Sequence, residues 1–540
     1  MSAKDDSPTA IDAAVIDVGS NSVRLVLYRL EGRALWTVYN EKVLAGLGRD
    51  LAVTGRLSRD GVAGALTALT RFRALLDAGR PGRVFAAATA AVREAEDGEA
   101  FRRRVETETG LTLRVLTGRE EARYAALGVL AGAPTARGLV GDLGGASLEL
   151  TPIVGRRPGR GVTLPLGPFA LGDGARFDAA RVREAVRRRL APLAGDFAAS
   201  TLNAVGGAWR NLALLHMKMS DYPLGIVHQY EMSRREVLNA TRFIVQQSRS
   251  SLERIEGISR RRVDALPHAA VVLEALVERL DIQNVVMSAY GLREGLLFET
   301  LSPALQGRDP LVDGCAALGA RQAVAEPLGA ALEAWITPAF ERLEPVFGDR
   351  DPVLLAAVCR LAEFGAHLHP DHRADLIFDQ VLRAPIPGMN HPERVFLACA
   401  AFSRHTASSA LREPGVINRL LTLERLQRAR TLGAAIRLGC DISGRNPELL
   451  AHARLTFRPN TVLVEAEESW TATLLGEQTA KRAATLAGLL ERELKMRAIP
   501  NLPPLMGEVP AKPAKGAAAA TRVANSPPPP LRGPPRPLRG

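Results

Sequence analysis

Residues 14–25 read AVIDVGSNSVRL and residues 139–150 read LVGDLGGASLEL. Both contain Asp-x-Gly-x-x-Ser between apolar runs, so Asp17, Gly19 and Ser22 match Asp142, Gly144 and Ser147. A short glycine-tipped turn between two β-rich runs is a hairpin whose tip exposes consecutive backbone N–H groups. With no Cβ in the way, such donors close on phosphate oxygens, and a serine hydroxyl adds one more. The aspartate before the turn repels a phosphate, but it suits a divalent cation that binds one. Glycine hairpins are common, so one copy says little. Two copies predict two related lobes with phosphate loops facing each other across a cleft.

The rest of the chain fits that division. Between the two turns, helical periodicity at 62–78 is followed by RVFAAATA, a strand entering a turn. Helical pattern then runs through VREAEDGEAFRRRVETETG to Gly110, LTLRVLT is a predicted strand, and REEARYAALGVLAG a predicted helix. The second turn opens another α/β unit that runs to NVVMSAYGLREGLLFETL. Residues 310–495 are almost all helical in pattern, including TAKRAATLAGLLERELKM, and only LTFRPNTVLVEAEE looks β-like. Past residue 500, Pro and Ala dominate, and a segment so poor in large apolar residues is expected to be disordered.

The order DVGSNSVRL, ATAAVREA, GREEARYA, DLGGASLEL, AVGGAWR and YGLREGLL resembles the exopolyphosphatase/guanosine pentaphosphate phosphohydrolase family over about residues 11–305. The resemblance implies an α/β fold of two ribonuclease-H-like lobes of the actin and sugar-kinase type, at 11–130 and 131–305. A mostly helical HD-like domain at 306–500 and a disordered, basic, Pro/Ala-rich tail at 501–540 would follow. It implies Mg²⁺-dependent release of inorganic phosphate from polyphosphate, with guanosine pentaphosphate as the alternative substrate. A cytoplasmic location and a homodimer are also expected.

By the same resemblance Glu121 is the catalytic base. The local sequence is compatible: Thr117 and Glu120 form a capping box, T-x-x-E. Glu121 lies about 100° further round the helix, turned toward a cleft. A carboxylate at a helix N-terminus stays ionised and is a modest base. Phosphate would be held by Gly19, Ser20, Asn21 and Ser22, by Arg93, by Gly144, Gly145, Ala146 and Ser147, and by Gly206 and Gly207. Asp142 and Glu149 match the acidic ends of the family motif D-x-G-G-G-S-x-E and, with Asp17, would hold Mg²⁺. Ala146 stands where the family has a third glycine, which requires a negative φ there.

The net charge of +12 suits a polyanionic partner, though Lys512, Lys515, Arg522, Arg532, Arg536 and Arg539 against Glu508 place much of it in the tail. Arginine clusters at 102–104, 156–160, 187–189 and 260–262 are candidates for a polyanion channel, or solvated helix faces. Aromatic residues are 5% of the chain, which leaves no stacking platform for specific nucleic-acid binding. Four widely spaced cysteines form no zinc or disulfide pattern, and no apolar run is long enough to span a membrane. The segment HLHPDHRAD, with His367, His369, Asp371 and His372, and the later His391 and His405, invites a metal reading, but capping or solvated histidines explain it better. Two other classes stay open: a sugar or acetate kinase of the same superfamily, and a sensor that binds polyphosphate or nucleotide without turnover.

Overall fold

The computed structural model describes residues 12–501 except 172–176, 194, 256–259, 321–326 and 411, with backbone alone at 260–262. The tail expected to be disordered therefore lies, from residue 502, outside the described residues. Strands β1 (Ala13–Val18), β2 (Val23–Glu31), β3 (Ala34–Val43), β4 (Arg83–Ala88) and β5 (Arg114–Val115) form one sheet in the order β3-β2-β1-β4-β5. β1 pairs antiparallel with β2 and parallel with β4, and β4 pairs parallel with β5.

The second sheet contains β6 (Gly138–Leu143), β7 (Leu148–Val154), β8 (Arg157–Pro158), β9 (Val162–Leu164), β10 (Thr201–Val205), β11 (Glu231–Ser233) and β12 (Asn284–Met287). Here β6 pairs antiparallel with β7 and parallel with β10, which pairs parallel with β12. The run β7-β6-β10-β12 thus repeats β2-β1-β4-β5. Each copy of the Asp-x-Gly-x-x-Ser stretch is the hairpin turn between the first two strands of its sheet.

The two sheets are joined by the Gly118–Gly132 helix. Its Thr117–Glu120 capping box forms as expected. Ala122 O accepts from Thr151 Oγ1 on β7 at 3.0 Å. The opposite side of this helix packs on Leu292–Glu299, where an added Cβ on Gly128 would lie 1.9 Å from Gly291 O and one on Gly295 1.9 Å from Tyr124 O. Leu292, Leu296, Leu297 and Phe298 are buried with Val15, Val26 and Tyr28 of the first sheet. The chain so returns from the second lobe to the first before leaving for the helical region, although residues 292–305 fall in the range read as second lobe.

Beyond residue 305 the chain is helical around a three-stranded sheet of β13 (Ala453–Arg458), β14 (Thr461–Glu467) and β15 (Glu493–Ile499). The first two strands are the expected β-like stretch. The third begins inside TAKRAATLAGLLERELKM, which reads as one helix; the helix stops at Leu489 and Glu491 takes φ 54°. Parallel pairing with β14 captures ELKMRAI as a strand. The segment VREAEDGEAFRRRVETETG is likewise two helices, Ala90–Glu94 and Gly98–Thr109, and LTLRVLT yields only the two-residue β5. Among the described residues no helix is long and apolar enough to cross a membrane.

Candidate active site

The two turns are built alike. Gly19 N donates to Ser22 O at 2.9 Å, and Gly144 N donates to Ser147 O at 2.9 Å. In the first turn Ser20 O accepts from Gly48 N at 2.8 Å and Asn21 O accepts from Gly46 N at 3.1 Å. In the second, Gly145 O accepts from Phe169 N at 2.8 Å and Ala146 O from Gly167 N at 3.0 Å. A following loop therefore ties down both tip carbonyls of each turn. The tip amides of Ser20, Asn21, Gly145 and Ala146 donate to no backbone acceptor among the described residues. Four N–H groups are thus left for a ligand, the arrangement an anion needs.

The turns also meet. A Cβ on Gly145 would stand 3.2 Å from Ser20 Cβ, so the tips of the two lobes are in close approach. Ala146 keeps a negative φ and its methyl is buried, so the departure from a third glycine leaves the turn intact. Gly206, which precedes the Gly207–Met219 helix, has φ 123°, and a Cβ there would lie 2.5 Å from Leu143 O. Its role is to let this third strand-to-helix turn pack beneath the second hairpin.

Glu121 is buried at the start of the Gly118–Gly132 helix, and its Oε2 accepts from Arg93 Nη1 at 2.9 Å. Arg93 Nη1 also donates to Leu116 O at 2.9 Å, and its other nitrogen lies 3.3 Å from Glu94. Arg93 is therefore partly spent on holding Glu121 and is not a free clamp. Burial raises the Glu121 carboxyl above its usual 4.5, opposed by Arg93. This corrects the expectation of a modest base fixed by the helix N-terminus: desolvation makes Glu121 more basic than an exposed carboxylate.

Asp142 and Glu149 are register partners across the second hairpin, and Asp17 opposes Arg24 across the first. Burial, then the nearby charges of Glu121 and Asp17, push the Asp142 carboxyl up to about 7. Burial, then Glu121 and Asp142, also hold the Glu149 carboxyl well above its usual range, and its Oε1 is enclosed with no hydrogen-bond partner among the described residues. Asp17 is raised by burial, with Arg293 as the main opposing charge.

Arg293 was missed by sequence reasoning, although it lies in YGLREGLL. Its Nη1 is 3.9 Å from Asp17 Oδ2 and its Nε 3.9 Å from Glu294 Oε1. Glu294 in turn accepts from Tyr28 OH at 2.6 Å and from Gly291 N at 2.9 Å. The signal available was a charged pair inside an otherwise apolar helix, which demands partners when buried.

Asp17, Glu121, Asp142, Glu149 and Glu294 outnumber the cations that act on them, Arg93, Arg293, Arg24 and Lys42, and one oxygen is orphaned, so the residues suit a divalent cation. Among the described residues no three His, Cys, Asp or Glu side chains converge as a ligand set. A bound cation would draw on one or two carboxylates, with water and phosphate oxygens completing its shell, which is the habit of Mg²⁺.

The histidine segment lies elsewhere, and among the described residues it joins no cluster of three metal-ligating side chains. His369 caps the Pro370–Arg383 helix, accepting from Asp371 N at 3.4 Å. His391 is buried, not solvated, and bonds Tyr222 OH at 2.7 Å. Arg102, Arg103 and Arg104 pair with Glu99, Glu106 and Glu108 on their own helix, so that cluster is a neutralised face. The side chains of 260–262 lie outside the described residues.

Residues 26–304 match the family described as "Ppx/GppA phosphatase family", and residues 348–496 match "Exopolyphosphatase, C-terminal". Exopolyphosphatase 1 of Mycobacterium bovis is 27% identical over 307 residues, covering 54% of this chain and 89% of the relative. Exopolyphosphatase 2 of Mycobacterium tuberculosis is 26% identical over 312 residues, covering 52% of this chain and 96% of the relative. The solved structure of an exopolyphosphatase from Cytophaga hutchinsonii shares the fold, with a TM-score of 0.50 at 22% identity, over 55% of this chain and 98% of that one. With its paired hairpin sheets and helical C-terminal region, the chain belongs to the Ppx/GppA phosphatase family and has that family's actin-like fold.

Proposed function

We propose that this enzyme is an exopolyphosphatase, releasing inorganic phosphate from the end of a polyphosphate chain by in-line attack of water. The observation that carries the reading is the facing pair of turns, with four uncommitted amides beside a buried, desolvated Glu121. The names of the relatives support the substrate class.

In this reading the terminal phosphoryl group sits between the turn tips. The amides of Ser20, Asn21, Gly145 and Ala146, with the hydroxyls of Ser22 and Ser147, take up charge that grows on its oxygens. Glu121 accepts a proton from the attacking water, and Arg93 holds the carboxylate in one orientation. Burial of Glu121 raises its proton affinity above that of an exposed carboxylate, which favours a general base. Asp142 and Glu149, with Asp17, are the residues that would hold Mg²⁺. When bound, the ion supplies positive charge to the phosphate oxygens and offsets the repulsion among these carboxylates. Gly206 and Gly207 shape the floor of the cleft.

The test is phosphate release by the purified chain with Mg²⁺, on long-chain polyphosphate and on guanosine pentaphosphate in parallel. Release from polyphosphate that falls about 10²-fold or more in Glu121→Gln is the expected result. Preference for the pentaphosphate would keep the site and change the substrate. Binding of either without release would make the chain a sensor.

A further inference from the structure

The helical region contains a basic cavity of about 90 Å³, several times the room one water needs. Three helices and a loop form it. Arg430, Ala434 and Arg437 lie on one face of the Leu423–Ile442 helix, spaced four and three residues apart. Arg482, Thr485 and Leu489 face them from the Glu477–Leu489 helix. Ser403 lies in the last turn of the His391–His405 helix, and Thr406, Ser408 and Ser409 come from the segment that follows it.

Charge in this cavity is unbalanced. The carboxylate bonded to these arginines is Asp441, which accepts from Arg482 Nε at 2.6 Å. Arg430 donates through Nη2 to Ser409 O at 2.7 Å, and its other donors have no partner among the described residues. Arg437 is half-buried and donates no hydrogen bond to any described residue. Burial and the neighbouring Arg482 lower its proton affinity. A guanidinium has five N–H donors, and those of Arg430 and Arg437 that have no partner among the described residues are open to an anion or to water. Nearby, the enclosed Nε2 of His405 has no partner among the described residues, and burial, then Arg404, Arg373 and Arg445, with Arg437 of this cavity last, lower its pKa to about 3.

We infer that this cavity, formed by Arg430, Arg437, Arg482, Ser403 and the 406–409 loop, is a binding site for a compact phosphate oxyanion. Guanidinium forks and hydroxyls together match an ion with several acceptor oxygens, which arginine recognises bidentately. The volume suits a single phosphoryl group and not a chain. Free orthophosphate and the end of a small phosphate ester share this chemistry. The inference is independent of the substrate assigned above.

The experiment is calorimetric titration of the full chain with orthophosphate, glycerol phosphate and long-chain polyphosphate, using Arg437→Gln and Arg430→Gln. A third variant, Ala434→Leu, fills the cavity without altering charge. The expected result is one orthophosphate or ester site in addition to the cleft, weakened at least tenfold in all three variants. Hydrolytic activity and melting temperature should stay at the wild-type level. The stronger of the two small ligands identifies the source. Wild-type and variant titrations that superimpose would overturn the site, and so would a variant-sensitive site that takes only the long chain.

Discussion

Asp142 shows how much the site costs the fold. Its carboxyl is pushed from 3.8 to about 7, chiefly by burial and then by Glu121 and Asp17. The folded state therefore holds its proton more tightly than the unfolded chain does. Stability associated with Asp142 is present below about pH 4 and is lost as pH rises through about 7. Asp142→Asn removes that loss. Without divalent cation, the variant should melt a few degrees above wild type at pH 8, match it near pH 4, and have lost activity. Equal melting temperatures at pH 8 would mean that Asp142 is not under this strain. Arg293 gives a second residue-scale expectation. It is the main charge favouring ionised Asp17, so Arg293→Met should shift the acid limb of the pH–rate profile upward. An unmoved limb would restrict Arg293 to a packing role. Asp142 was legible in sequence because the repeated turn is local. Arg293 was not, because it reaches Asp17 only after 275 intervening residues have folded.

At the scale of elements, legibility follows the range of the forces involved. The hairpins, the Thr117–Glu120 box and the glycine stop at Gly110 were readable because each is decided within a few residues. β15 was not: its residues alternate polar and apolar beside a genuine helix, and only pairing with β14, some thirty residues earlier, makes them a strand. The joint between Gly118–Gly132 and Leu292–Glu299 was also out of reach. Its glycines look like poor helix formers in sequence, yet they set how closely the two helices pack. That packing has a testable consequence for the site, since Glu121 begins one of these helices. Gly295→Ala would place a methyl against Tyr124 O, and overpacking of this sort costs about 1–3 kcal/mol. Denaturant unfolding should show that loss, together with slower phosphate release as the Glu121 helix shifts. Unchanged stability would mean that the joint yields freely.

At the scale of the molecule, the helical region is seated on both lobes by buried polar groups. Asp313 accepts from Arg33 N at 2.7 Å and also pairs with Arg308, and the helical core includes Trp36 from the first sheet and Leu224 from the second lobe. On the second lobe, the seat is a pair of histidines. His391 Nε2 lies 3.1 Å from His228 O and its Nδ1 2.7 Å from Tyr222 OH. His228 Nδ1 accepts from Ala289 N at 3.2 Å, with Tyr290 packed against its ring. Burial, with Arg394 adding to it, lowers both histidines to about 4. The unfolded chain takes up these protons first, near pH 6.5, so the seat is fully stable above that value and weakens as pH falls toward 4. Thermal unfolding between pH 7 and pH 4.5 should therefore show a decline that is shallower in His391→Gln, where one of the two protons is absent. On linkage grounds the difference in slope should amount to about 1–3 kcal/mol across this window. Parallel declines in the two proteins would place the acid sensitivity elsewhere, and the carboxylates of the cleft are excluded as its source because their raised affinities favour the folded state as pH falls.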